Sequence, residues 1–187
     1  MRRPANRTHE TARRLVKAFA ITSAVLVSGF FLSAQGGGRP AIADQIKRLF
    51  PDATLISPKQ GQPPHFKIFQ RSASGVEALL GFAFLTTEVD PLERGYDGPI
   101  KILVGMNVRA HLTGVVVLEH HEPYGSFSVE PPEFAAQFAG KDIRDPFRVG
   151  GDVDAVSRAS ITIGSATRAI RNSARRVARQ TLAPATP

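Results

Sequence analysis

The sequence contains no cysteine, and only two methionines and two tyrosines among its 187 residues. Without cysteine the chain cannot form disulfides, thiolate zinc sites, cysteine-ligated iron–sulfur clusters or a covalent c-type haem, and it has no catalytic thiol. It also lacks the patterns G-x-S-x-G, G-x-x-x-x-G-K-[ST], H-E-x-x-H and G-x-G-x-x-G. These absences argue against serine hydrolases, P-loop enzymes, zincin metalloproteases and direct dinucleotide binding.

Acidic residues are scarce at both ends of the chain, which gives the whole sequence a net charge of +8. Residues 1–43 hold seven Lys or Arg and one acid, and residues 168–187 hold five Arg and no acid. Residues 44–167 hold twelve basic and fifteen acidic residues, so this part is mildly acidic. A nucleic-acid-binding domain would carry its basic patch on the folded body, and no nucleic-acid partner is therefore predicted.

Residues 1–17, which include six Lys or Arg, precede an uncharged and largely apolar run over residues 18–34. This order is typical of a signal peptide or of a single membrane anchor whose basic end stays in the cytoplasm. Ala41-Ile42-Ala43 offers an A-x-A cleavage pattern beyond the run, so anchor and cleaved signal both stay open. In either case we expect the rest of the chain on the periplasmic side of the inner membrane. The expected organisation is a linker at 35–43, one domain at 44–180 and a flexible tail at 181–187.

The hydrophobic pattern predicts an α+β fold with a mainly antiparallel sheet. Two strands at 100–108 and 112–118, joined by a three-residue connection, are typical of a hairpin. Further strands are predicted at 53–57, 65–70 and 78–86, and helices at 41–50, 131–138 and 163–179. The last helix has an apolar stripe and an arginine-rich face, which fits either a solvated surface or contact with anionic lipid or an acidic partner.

A run of hydroxyl side chains, Asp154-Ala-Val-Ser157-Arg158-Ala159-Ser160-Ile-Thr162, leads into this last helix. The first N–H groups of a helix have no partner within it, and its dipole is positive there, so a phosphate or carboxylate is stabilised at this position. Arg158 is a possible phosphate partner. The alternative from the residues alone is that Ser160 and Thr162 are ordinary N-caps.

This run resembles the flavinylation motif D-x-x-(S/T)-G-A-(T/S) of the bacterial FMN-binding domain family. The family includes peripheral subunits of Rnf and sodium-pumping NADH:quinone oxidoreductases, and the likeness is greatest to the periplasmic domain of NosR-type regulators of nitrous oxide respiration. The resemblance implies FMN attached by a phosphoester to Ser160, with Thr162 as the other candidate, through a flavin transferase. Arg158 stands where the motif usually has Gly.

Upstream segments match the family in the same order, including Gly95-Tyr96-Asp-Gly98 and His120-His121-Glu122-Pro123-Tyr-Gly125. The second resembles the family's H-x-E-T-P-G loop beside the flavin ring. The implied cofactor-binding residues are Tyr96, Gly98, His121, Glu122, Pro123, Asp154, Ser157, Arg158, Ala159, Ser160 and Thr162. Neighbouring histidines on a strand point to opposite faces, so no metal site is predicted, and no catalytic residue is assigned.

The predicted function is extracytoplasmic electron transfer through FMN. The expected partners are a flavin transferase, a membrane-bound redox protein and a periplasmic electron acceptor, with the N-terminal segment in the membrane. We expect an electron-transfer component rather than a stand-alone enzyme, because the chain offers no second nucleotide site. The alternative is an assembly or regulatory module of a periplasmic reductase that holds FMN without a covalent bond or holds none.

Overall fold

The computed structural model describes residues 41–182. The predicted basic segment 1–17, the apolar segment 18–34, most of the linker 35–43 and residues 183–187 of the tail lie outside the described residues. Among the described helices, none is both long enough and apolar enough to cross a membrane.

The described part is built on a five-stranded antiparallel sheet whose strands follow each other in chain order. The strands are β1 (Leu55–Ile56), β2 (Phe66–Arg71), β3 (Glu77–Leu85), β4 (Lys101–Asn107) and β5 (Leu112–Glu119). Together with the helices they form an α+β fold, which confirms the predicted class. Each predicted strand is present, although β1 is limited to two residues paired with β2.

Successive side chains of the central strands point to opposite sides of the sheet, and both sides are apolar. On β3, Phe82 and Phe84 face one side while Ala83 and Leu85 face the other, because successive strand side chains point to opposite faces. Both faces are covered by helices, so both sets of side chains are buried. The sheet is therefore the middle layer of the domain.

Four helices complete the described part: α1 (Ile42–Leu49), α2 (Gly125–Ser128), α3 (Pro132–Ala136) and α4 (Ser160–Thr181), with a single 3-10 turn at Thr86–Glu88. Helix α1 packs on one face through Ile46 and Leu49. Helices α3 and α4 pack on the other face. The sequence predicted α1, α3 and α4 but not α2, and α4 starts three residues earlier than predicted.

Helix α4 packs against the sheet and also contacts the loop between β3 and β4. Its predicted apolar stripe (Ile163, Ala166, Ile170, Ala174 and Val177) is buried against the sheet. Burial of an Ile or Val side chain contributes about 1.5–3 kcal/mol, so this stripe fixes the helix firmly. Other side chains of α4 hold the loop between β3 and β4: Glu93 accepts from Arg168 Nε at 3.1 Å and Asn172 Nδ2 at 2.9 Å, and Arg176 donates to the Asp90 carbonyl.

Candidate functional site

Helix α4 begins without a side-chain cap. Its N-cap residue is Ala159, and no side chain accepts a hydrogen bond from the first turn. Ser160 and Thr162 occupy the first and third helical positions. The N-cap interpretation of these two hydroxyls is therefore wrong. The first turn also holds no acidic residue, so its N–H groups and the positive end of the helix dipole remain available to an anion.

The two candidate hydroxyls of the motif have different environments. Ser160 is exposed to solvent, and its hydroxyl makes no hydrogen bond within residues 41–182. Thr162 is only 2% exposed, and its Oγ1 donates a short hydrogen bond to the Glu122 carboxylate. Ser160 is therefore the accessible hydroxyl, and Thr162 is already bound inside the domain.

Glu122 is a buried carboxylate that connects three separate segments. It is 6% exposed and accepts hydrogen bonds from the backbone N–H groups of Tyr96 and Asp97, each at 3.0 Å, in addition to the Thr162 hydroxyl. Burial alone would raise the pKa of Glu122. The three hydrogen bonds and the nearby His120 outweigh that effect, and the pKa lies below its ordinary value. An ionised Glu122 thus ties its own loop to the 95–98 turn and to α4.

The turn at residues 95–98 depends on its two glycines. The Gly95 N–H donates to the Gly98 carbonyl at 2.6 Å, which closes the turn. A Cβ on Gly95 would overlap the Glu122 carboxylate, so only glycine lets this backbone approach so closely. Gly98 has φ of 109°, a conformation that side chains disfavour. The turn therefore places Tyr96 and Asp97 as donors to Glu122.

A small open groove lies directly over the start of α4. Its volume is about 240 Å³, and it is lined by Tyr96, Tyr124, Arg158, Ala159, Ser160, Ile161 and Thr162. Tyr96 and Ile161 are 69% and 57% exposed, so the groove has apolar walls that face solvent. Exposed apolar and aromatic walls suit a flavin ring, and the uncapped N–H groups with Arg158 suit its phosphate. The residues present therefore fit both chemical parts of FMN.

Arg158 has a left-handed backbone, with φ of 68°. The Ala159 N–H donates to the Val156 carbonyl at 3.1 Å, which closes the turn that contains Arg158. Glycine adopts this conformation without strain, and this explains why a motif of this shape usually has Gly here. In this chain a cation takes the position instead and lines the groove.

The structure does not bring all the predicted residues to the groove. Asp154 and Ser157 are exposed and lie outside its lining, and the Asp154 N–H donates to Gln137 Oε1. His121 and Pro123 are exposed on the loop beside Glu122. Glu122 lies beneath the groove rather than in it. For Glu122 the geometry indicates that it positions other groups and does not itself contact a ligand.

His120 supports this loop from within. Its Nδ1 accepts the Glu122 N–H at 3.2 Å, and its Nε2 lies 3.1 Å from Glu130 Oε1. A Cβ on Gly125 would overlap the His120 ring, so this glycine allows the loop to close over the imidazole. The described residues contain no group of three His, Asp or Glu side chains able to hold a metal ion.

Sequence reasoning missed two residues that line the groove, Tyr124 and Ile161. Tyr124 follows Pro123 in the loop that resembles the family, and its ring lies 5.3 Å from that of Phe127 on α2. Ile161 lies outside the apolar stripe of α4 and is exposed. The sequence signal for Ile161 was its position between two hydroxyl residues, outside the apolar stripe of the helix.

The segment that forms the groove is similar to known proteins. Residues 95–175 match the FMN-binding domain family. The family resemblance predicted from the sequence is thereby confirmed, and the matched segment contains every residue that lines the groove. Over 87 residues the chain is also 31% identical to a component of the ion-translocating oxidoreductase complex of Vibrio atlanticus (strain LGP32). This alignment covers 41% of the chain and 42% of the relative's length.

Proposed function

We propose that the described domain binds FMN in the groove over the start of α4 and transfers electrons through it. The observation that carries the proposal is the exposed Ser160 hydroxyl at the uncapped start of α4, inside the segment that matches the family. When bound, FMN supplies reversible one- and two-electron chemistry. The chain supplies the binding site and the electrostatic environment.

The residues of the groove have separate tasks in this proposal. The first N–H groups of α4 and the Arg158 guanidinium hold the phosphate. Tyr96, Tyr124 and Ile161 pack against the ring. The groove, at about 240 Å³, is smaller than the 300–1,000 Å³ of a typical ligand pocket, so the ring would extend beyond it. We propose that it extends toward His121, Pro123 and Gly98. Glu122 keeps the walls in place.

We further propose that the FMN is covalent and that Ser160 carries it. The Ser160 oxygen attacks the flavin-side phosphorus of FAD and forms a phosphoester. The bond between that phosphorus and the bridging oxygen breaks, AMP leaves, and the hydroxyl proton passes to solvent. A separate flavin transferase with a divalent metal would catalyse this step. Thr162 is a poor acceptor, because its hydroxyl is buried and bound to Glu122.

The similarity to the Vibrio atlanticus protein supports a role in a membrane redox complex. The relative belongs to an ion-translocating oxidoreductase complex. By analogy, we propose that residues 18–34 lie in the inner membrane and that residues 44–180 form the domain on its periplasmic side. There it would accept electrons from a membrane-bound redox protein and pass them to a periplasmic acceptor.

The test is co-expression of the full chain with a flavin transferase, followed by a denaturing gel and intact mass. We expect a fluorescent band and a mass gain of one FMN less one water. Ser160→Ala should give a dark band, whereas Ser157→Ala, which removes another exposed hydroxyl of the motif, should stay fluorescent. A dark Thr162→Ala beside a fluorescent Ser160→Ala would contradict the assignment to Ser160. A yellow native protein without covalent flavin would indicate non-covalent binding, and a colourless one the flavin-free assembly or regulatory module.

A further inference from the structure

We propose that a second groove, at the C-terminal end of α4, binds the headgroup of an anionic phospholipid. The groove has a volume of about 550 Å³, within the range of small-molecule sites. It combines three arginines with an apolar lining: Ala110, Ile143, Arg144, Arg175, Ala178, Arg179 and Leu182. Nothing in the flavin proposal uses these residues.

Arg175 is a fixed cation without a counter-charge. Its Nε donates to the Ile143 carbonyl at 2.7 Å and its Nη2 to the Asp145 carbonyl at 2.8 Å. These two carbonyls hold the guanidinium plane in position but do not neutralise it. No carboxylate lies within ion-pair distance of Arg175 among the described residues, although the side chain is half-buried. A half-buried charge of this kind favours an external anion.

Arg179 adds a second uncompensated charge one turn further along α4. It is exposed and has no ion-pair partner within the described residues. Arg144 differs, because it forms a short ion pair with Asp142 and contributes little net charge. Arginine recognises phosphate through paired N–H groups, so Arg175 and Arg179 together form a suitable phosphate site.

The apolar part of the groove points to a lipid rather than to an acidic protein or free phosphate. Ile143, Ala178 and Leu182 line the same groove as the arginines and would accept the first carbons of acyl chains. Next to the groove, the β4–β5 turn exposes Val108 and Arg109, again an apolar residue beside a cation. Helix α4 as a whole has five arginines and no acid. This combination is typical of surfaces that contact anionic membranes.

The lipid site lies far from the flavin groove. Ser160 and Arg179 are separated by nineteen positions of α4, and a rise of 1.5 Å per residue places them about 28 Å apart. Lipid at one end of the helix therefore does not obstruct the groove at the other end. The inference also does not depend on FMN.

The absence of cysteine makes a direct test possible with the full chain. A polarity-sensitive dye on V108C, beside the groove, should shift to shorter wavelength with vesicles of phosphatidylcholine and phosphatidylglycerol. It should not shift with vesicles of phosphatidylcholine alone. The same dye on S126C, an exposed position of α2 near the flavin groove, should remain unchanged with both. The measurement needs no flavin, so its failure and a failure of FMN attachment are separate results.

Substitutions then test the arginine contacts. In the V108C background, Arg179→Gln should weaken the response to phosphatidylglycerol about five-fold, the effect of one basic residue near an anionic membrane. Arg48→Gln removes the same charge from an exposed position of α1, on the opposite face of the sheet from α4, and should leave the response unchanged. Equal shifts with both vesicle types, or no shift, would overturn the proposal. So would a shift produced without vesicles by inorganic phosphate or by polyglutamate, the latter standing for an acidic protein.

Discussion

Two charged residues, Arg158 in the groove and Glu122 beneath it, have different roles at the candidate site. Arg158 takes a left-handed conformation, with φ of 68°, and contributes a charge beside Ser160. Glu122 is buried and accepts three hydrogen bonds that hold the walls of the groove together. Arg158 therefore provides the charge that faces the groove, and Glu122 provides the charge that holds the surrounding backbone in place.

Replacement of Arg158 should separate backbone strain from charge. Arg158→Gly should raise the free energy of unfolding by about 0.5–1 kcal/mol, because glycine avoids the left-handed penalty but has more freedom in the unfolded chain. Arg158→Ala removes the same charge, keeps the strain and should leave stability nearly unchanged. Urea denaturation of both variants measures this difference, and equal stability of the two would contradict the strain argument.

The sequence identified most of the residues at the site but not their roles. The run of hydroxyls with Arg158 pointed to the start of α4, and the family resemblance pointed to Tyr96. Ser160, Arg158 and Tyr96 all line the groove. The bond between Thr162 and Glu122 spans forty positions, and no local pattern encodes it. Asp154 lies outside the groove for the same reason, since spacing along a loop does not define direction in space.

At the scale of elements, the close approach between the 95–98 turn and the Glu122 loop is the most sensitive contact. Gly95→Ala should lower the free energy of unfolding by about 1–3 kcal/mol, because its Cβ would overlap the carboxylate or displace the turn. Gly164→Ala, inside α4, should raise stability by about 0.5–1 kcal/mol, since its Cβ meets only the movable end of Arg168.

The two alanine variants are compared by thermal unfolding. Both variants add one methyl group, so a lower melting temperature in both would show that neither position tolerates the added volume. No loss at Gly95 would show that the turn moves freely relative to Glu122. Their opposite signs are the expected result.

Element boundaries followed from the sequence where the hydrophobic pattern was strong. Apolar, β-branched runs placed β3, β4 and β5 within a residue or two, because strands whose two faces are both buried are apolar along their whole length. Helix α2 contains only Gly125-Ser-Phe-Ser128, too few residues to show a helical hydrophobic period, and it lies where the loop packs against His120. The early start of α4 at Ser160 was missed because serine and threonine fit caps, turns and helices equally well.

For the whole molecule, several lowered carboxyl pKa values predict sensitivity to acid. Burial would raise the pKa of Glu122 and of Asp152, but their hydrogen bonds lower both, and Arg144 lowers the pKa of Asp142. A pKa lowered on folding adds stability above the ordinary value, 4.5 for Glu122, and that stability is lost as pH falls below it. The melting temperature should therefore be constant near neutrality and fall steeply below about pH 4.

Glu122→Gln tests the contribution of one of these groups. It should cost about 2 kcal/mol at pH 7, because charge-assisted hydrogen bonds are lost, and should reduce the acid slope. Glu133→Gln, at an exposed position of α3 without a hydrogen bond in the described part, should follow the wild-type curve. Parallel curves for all three proteins would contradict a role for Glu122.

The three-way junction at Glu122 has a consequence for when the site exists. Its donors lie 25, 26 and 40 positions away along the chain, on two other segments. Contacts so distant in sequence form only after the sheet and α4 have assembled. A chain that contains Ser160 but has not yet folded therefore has no groove. Any partner that recognises the groove thereby selects chains whose folding is complete.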